Sequence, residues 1–498
     1  MLRVLLLLIV PSIATSWKVL FANVFNTGSH QTVAVHVANL LADNGHNITY
    51  MSTNIPRSSL RPTIRILDLP KCTAAINSLT NPPANETKSA TSVLYKIDFF
   101  FRACERWYTE ESVQGLMQSG EKFDLFVTSG LFETCALGLA NHLGIENAII
   151  QMPGAILTPY LIHEMGLPLY SSSTDIHVLT IRESSEVKSS ITARVTNIAK
   201  RFLVDVLYYG FMGWYSEPTV YKNIANYPGY RETYKTVKLM LMHYHHHPLI
   251  DTPTPLGPGV LPLAGTLCKP YNPQDISPDL LEFLDSATEG VVFLSFGSIQ
   301  KDGDHEEQNK LIEVFKGMPY KVVWKQNKAI DDIPDNVKLV TWVGQMSLLQ
   351  HPNIKLFITH GGYASKTEAL CAGVPLLVVP MFAVDQFYTA QRITDSGLGG
   401  QIPKLEITTA PEMLAQVLEI IENPAYSLRA QHVKEQMLQT RTSDEQVMGY
   451  IGAAVSGHGF LPGRQPWYEF LYLDIIAVPL LTVLCVRMLY RKWATRKE

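Results

Sequence analysis

Short runs of apolar residues alternate with amphipathic stretches through most of the 498-residue chain. IKLFIT (354–359) is mostly β-branched and apolar, as a strand buried on both faces would be. After HGG, the pattern predicts a helix over Tyr363 to Ala372, with Gly373 placed to stop it. PLLVVP (375–380) then returns as a strand, which completes a parallel βαβ unit. WKVLFANVFNTGSHQTVAVHVANLLADNGHNITYMS (17–52) is a second such unit. Its helix presents Val33, Val37, Leu40 and Leu41 on one face and ends at Gly45. FDLFVTS (123–129) and ENAIIQM (146–152) read as further strands of the same sheet. Residues 187–221 are helical in tendency and rich in aromatics, suited to core packing, to covering a cleft or to leaning on a membrane. A proline-rich stretch, HPLIDTPTPLGPGVLP (247–262), is the best linker. Beyond it, strands near Val291, Val322, Lys338, Ile354 and Leu376 alternate with helices. The expectation is an α/β protein of two doubly wound domains, 17–250 and 271–455, joined by a linker over 251–270. A ligand then belongs in the cleft at the carboxyl ends of the strands.

The two termini break this pattern. MLRVLLLLIVPSIATS (1–16) has one arginine, an apolar core and small residues at Ala14 and Ser16. It reads as a signal peptide cleaved before Trp17. Trp467 to Val486 is an apolar run of spanning length, about 30 Å as a helix. Asp474 sits near its start and Pro479 is tolerable in such a helix. Arg487, Arg491, Lys492, Arg496 and Lys497 follow, so the positive-inside rule puts the tail 487–498 in the cytosol. The expected protein is single-pass, type I and largely lumenal, in the endoplasmic reticulum or another secretory-pathway membrane. Sequons at Asn47 and Asn85 agree with that route. Six widely scattered cysteines make no disulfide scaffold, and their pairing stays open. A net charge of −4 gives no electrostatic case for nucleic acid.

The chemistry concentrates around the HGG turn. Gly361 and Gly362 let the N–H groups at the helix start approach a ligand closely, and that end suits an anion such as phosphate. His360 can donate a hydrogen bond to the same anion. Taken alone, the turn fits a tight βα connection with a surface histidine equally well. Its surroundings are more specific: TWVGQMSLLQHP (341–352) lies upstream, PMFAVDQFYTAQRI (380–393) downstream, and VVFLSFGSI (291–299) forms a glycine loop before both. Trp342, Gln345, the HGG turn, Glu368 and Asp385–Gln386 in this order resemble the donor-binding signature of the UDP-glycosyltransferase family, which includes the UDP-glucuronosyltransferases. A weaker likeness in layout runs over nearly the whole chain.

The resemblance implies the GT-B fold, two Rossmann-like domains facing across a cleft, and transfer of a sugar from a UDP-sugar to a hydroxyl. Trp342 would stack on uracil, Gln345 would hold the nucleoside, and Glu368 would accept from the ribose hydroxyls. His360, Gly362, Ser365, Ser298 and the helix end would take the diphosphate. Asp385 and Gln386 would read the sugar. His30, in the GSH turn at the end of the first strand, matches the family's catalytic base, and a neutral imidazole suits that task near pH 7. The enzymes of this family need no metal and no cofactor beyond the co-substrate. The run His243, His245, His246, His247 is accordingly rejected as a metal site, since neighbouring histidines leading into Pro248 converge poorly on one ion. Several positions depart from the family. Ser129 stands where relatives carry the acid that orients the histidine, and Glu133, one helical turn on, is the nearest carboxylate. Ala364 and Thr389 replace common asparagines, and Val384 is an additional residue. These departures favour the alternative, a weakened relative that binds UDP-sugar or a lipophilic ligand without efficient turnover. Glucose and glucuronate users share the signature, so the sugar, the acceptor and any homo-oligomer stay open.

Overall fold

The computed structural model describes residues 16–24, 28–80, 102–130, 133–152, 217–242, 250, 257–297, 305–326, 329–381, 384–461, 477 and 481–489. Two parallel sheets organise them. The first holds β1 (Lys18–Ala22), β2 (Asn47–Ser52), β3 (Arg65–Asp68), β4 (Leu125–Ser129), β5 (Ala148–Met152), β6 (Val237–Met242) and β7 (Val260–Pro262). The second holds β8 (Val291–Ser295), β9 (Lys321–Lys325), β10 (Val337–Val340), β11 (Ile354–Thr359), β12 (Leu376–Val378) and β13 (Gly399–Gln401). The strand orders are β3-β2-β1-β4-β5-β6-β7 and β10-β9-β8-β11-β12-β13. In each sheet the order reverses once, between β1 and β4 and between β8 and β11. Such switch points open a crevice at the carboxyl ends of the strands, where ligands of doubly wound folds bind.

The helices that matter for the site are α1 (Gly28–Asp43), α2 (Glu133–His142), α3 (Gln345–Leu349), α4 (Tyr363–Ala372), α5 (Val384–Asp395) and α6 (Asp444–Val455). Strands buried on both faces need an apolar layer on each side, and both sheets have one. On the first, Phe21, Val127 and Ile149 pack beneath Val33, Val37 and Leu41 of α1. Its other face sets Leu20, Phe126 and Ile150 against Trp107 and Leu137. On the second, Phe293 and Phe357 stack at 4.9 Å beneath Ala369 and Leu370 of α4. Leu294, Ile358 and Trp324 face Phe315 on the opposite side.

Two segments take roles beyond those expected of them. Val260–Pro262, inside the proline-rich stretch, pairs with β6 as the last strand of the first sheet. The α6 helix, at the end of the range assigned to the second domain, lies on the first sheet. Its Val447, Ile451 and Ala454 join the core under α1, and the Val455 carbonyl accepts from Asn147 Nδ2 at 2.9 Å. The cysteines pair as Cys104–Cys135 and Cys268–Cys371, which ties α2 and α4 to neighbouring segments. Cys72 and Cys485 are free thiols.

Asn47 is exposed at the start of β2, while Asn85 and residues 1–15 lie outside the described residues, as does most of the run 467–486. Among the described residues no helix is long and apolar enough to cross a membrane. Residues 481–489 are helical, with Leu481, Leu484 and Leu489 exposed.

Candidate active site

The candidate donor half is built on the β11–α4 turn. Gly361 holds φ +87°, and a Cβ there would meet Val378 Cγ1 at 2.5 Å. Gly362 is the N-cap of α4, and Gly373, at φ +75°, ends the helix in the left-handed conformation. The His360 ring fits between two glycines, because a Cβ on Gly362 would reach its Nε2 at 2.6 Å and one on Gly297 its Cε1 at 2.8 Å. Gly297 follows β8, so the imidazole sits at the switch point of the second sheet. Burial, helped by the nearby Lys325 ammonium, pushes the His360 pKa down to about 4. The ring is therefore neutral at physiological pH and offers one N–H beside the positive end of α4.

Glu368 lies one turn into α4. Its Oε2 accepts from Gln345 Nε2, which also reaches Ser365 Oγ at 3.4 Å. Burial pushes the Glu368 carboxyl up to about 7, against the pull of the Gln345 bond and of Lys325 and Lys269. Gln345, Ser365 and Glu368 thus form one hydrogen-bonded group. Trp342, between β10 and α3, is 73% exposed and offers an open aromatic face. Asp385 sits in the first turn of α5, which Val384 opens, and burial raises its pKa. Gln386 is buried and spends its Oε1 on the Met381 N–H at 2.9 Å. Ser298 lies outside the described residues.

Two lysines at this site went unnoticed in the sequence. Lys325 ends β9, at the same edge of the sheet as Gly297 and His360. Its ammonium acts on both His360 and Glu368. Lys366 is fully buried on α4. Position at a strand's carboxyl end was the available signal for the first; nothing in the helical pattern marked the second as buried.

The other half of the site lies at the switch point of the first sheet. His30 falls in the first turn of α1 rather than in a loop, and its side chain lies outside the described residues. Beneath that turn runs a polar row. Phe21 pairs with Val127, so two places on Asn23 stands beside Ser129, which pairs with Gln151. All three are buried and share the face that α1 covers, because parallel neighbours in register point the same way. Among the described residues neither polar atom of the Asn23 side chain has a hydrogen-bond partner, nor does Gln151 Nε2. Glu133 opens α2, and its Oε1 accepts from Tyr234 Oη at 2.7 Å. Burial pushes its carboxyl up to about 7. Its observed partner is thus a tyrosine behind α2. Among the described residues no cluster of histidine, cysteine or carboxylate groups forms a metal site, and His243 and His245 to His247 lie outside them.

The family model described as UDP-glucoronosyl and UDP-glucosyl transferase matches residues 3–496. UDP-glucosyltransferase 2 of Dactylopius coccus is 26% identical, over 94% of this chain and 93% of its own length. UDP-glucuronosyltransferase 3A1 of Xenopus laevis is 28% identical, over 77% of this chain and 73% of its own. Among solved structures, the glycosyltransferase of kitacinnamycin superposes with a TM-score of 0.59 at 16% identity, covering 89% of this chain and all of its own. That likeness establishes the GT-B architecture. With that family model matched over residues 3–496, the chain belongs to the UDP-glycosyltransferases.

Proposed function

We propose that this UDP-glycosyltransferase moves glucose or glucuronate from its UDP-sugar to a hydroxyl of a small lipophilic acceptor, with inversion at the anomeric carbon. The observation that carries the reading is the group at the open end of α4: a neutral His360, Gly362 and Ser365 beside Glu368 and Gln345. In this reading uracil stacks on Trp342 and the ribose hydroxyls donate to Glu368. The diphosphate lies against the helix end, His360 and Ser298, and Asp385 and Gln386 read the sugar. His30 takes the acceptor's proton as its oxygen attacks the anomeric carbon. The bond to UDP breaks on the opposite face, and its electron pair leaves on the β-phosphate oxygen. Such base assistance contributes about 10²–10⁴-fold. The helix end and Lys325 supply positive charge for the leaving group, so the mechanism calls on no metal or further cofactor.

The apolar run 467–486 and its basic tail support a single-pass anchor with the cleft on the lumenal side, where lipophilic acceptors partition into the adjacent bilayer. The test is a donor panel with phenolic and steroidal acceptors, read by mass spectrometry of the conjugate. A glucosyl or glucuronosyl adduct of β configuration from the α-linked donor supports the reading. Conjugates of retained configuration, or none with any acceptor, would overturn it.

A further inference from the structure

Lys366 is the fourth residue of α4, and its side chain is 1% exposed. A lysine that deep in a protein is almost always paired. Long side chains on a helix lean back toward its N-terminus, and Nζ stands 5.1 Å from the ring centroid of Tyr363, one turn earlier. The ammonium therefore lies at a helix end that already carries roughly half a positive charge. Two like charges in one buried corner call for an anion. The first turn of α5 brings one, because α5 packs tightly on the glycine turn: a Cβ on Gly361 would come within 3.2 Å of the Gln386 carbonyl. Asp385 stands beside Gln386, and the Lys366 ammonium favours its ionised form against the burial that opposes it. Thr389, one turn further along α5 on the side of Asp385, is fully buried, and its hydroxyl has no hydrogen-bond partner among the described residues. A buried cation, a carboxylate and an orphan hydroxyl thus share the corner assigned to the sugar.

We propose that Lys366 is a positioning residue for the donor sugar: its ammonium fixes the Asp385 carboxylate toward the sugar hydroxyls, so recognition of the sugar depends on it and recognition of the nucleotide does not. This rests on the reading that Asp385 faces the sugar. Calorimetry on the full chain, comparing UDP-glucose with UDP, separates the two contributions without needing turnover. K366M should weaken UDP-glucose about tenfold or more while UDP changes less than about twofold. D385N should show the same sugar-selective loss. The double variant leaves neither charge buried alone, so it should fold even where K366M does not. Its loss should be no greater than that of D385N, as for two residues acting as one unit. Equal weakening of UDP and UDP-glucose in these variants would place the ammonium on the diphosphate or in a merely structural role, and overturn the proposal. Unchanged binding of both ligands would overturn it as well. A wild-type protein that binds UDP-glucose but conjugates no acceptor would count against the proposed function alone.

Discussion

Lowering the pH from 8 to 6 should loosen the hold on UDP-glucose, and Glu368 sets the size of the effect. Burial pushes its carboxyl up to about 7, with Gln345, Lys325 and Lys269 pulling the other way. In the proposed complex the ionised carboxylate accepts from the ribose hydroxyls, so the protonated form binds poorly. Each pH unit below about 7 then costs roughly tenfold in affinity, or about 1.4 kcal/mol. Above that range the affinity levels off. The sign follows from linkage: binding favours the ionised form, releases a proton in acid and grows stronger as pH rises. His360, pushed down to about 4, stays neutral throughout and adds no slope. UDP-glucose suits the assay because its diphosphate, esterified at both ends, does not titrate in this window. Calorimetry at pH 6, 7 and 8, in two buffers of different ionisation heat, gives both the affinity and the protons released. Glu368→Gln should bind weakly with a flat profile. Equal affinity at pH 6 and 8 in the wild type, or an unchanged slope in Glu368→Gln, would refute the reasoning.

Melting of the ligand-free protein should fall as pH rises from 6.5 to 8. Glu368 and Glu133 both have raised folded-state values near 7, so the folded state holds their protons more tightly and loses that advantage on deprotonation; a melting temperature that rises over this window contradicts it. Ser129→Asp should raise kcat/KM about tenfold or more by giving the base a carboxylate partner. Glu133→Gln should leave kcat within about twofold, since Tyr234 already occupies that carboxyl; a slower Ser129→Asp enzyme or a large loss in Glu133→Gln would show a different arrangement around His30. Trp342→Ala should weaken UDP by about 1–3 kcal/mol, the worth of one base stacked on an aromatic ring. Because Trp342 is largely exposed, its melting temperature should not move, and a destabilised fold with normal UDP binding would assign it to packing.

The parts of the site that depend on local chain signals were readable in advance. The helix after HGG has the bounds expected of it, Tyr363–Ala372, because glycines at both ends punctuate it. The buried strands stood out as short apolar runs. What escaped depends on contacts distant in sequence. Val260–Pro262 is too short a strand to stand out among prolines, and only pairing with β6 makes it one. The row of Asn23, Ser129 and Gln151 exists only once β1, β4 and β5 lie in register. Cysteine spacing carries no pairing, so Cys104–Cys135 and Cys268–Cys371 needed the fold. GSH looked like loop because it follows a strand and contains glycine, yet α1 begins there. Lys366 gives no sequence signal for a related reason: helical spacing says which residues share a face, and only tertiary packing makes that face interior.

The most direct test of the account is the acceptor-dependent release of UDP by the wild type and by His30→Ala, with UDP-glucose binding measured on both. The account predicts a loss in kcat on the order of 10²-fold or more. Binding should be unchanged, because the proposed donor residues stand on the second sheet and His30 on the first. Undiminished turnover in His30→Ala at equal donor affinity would contradict it.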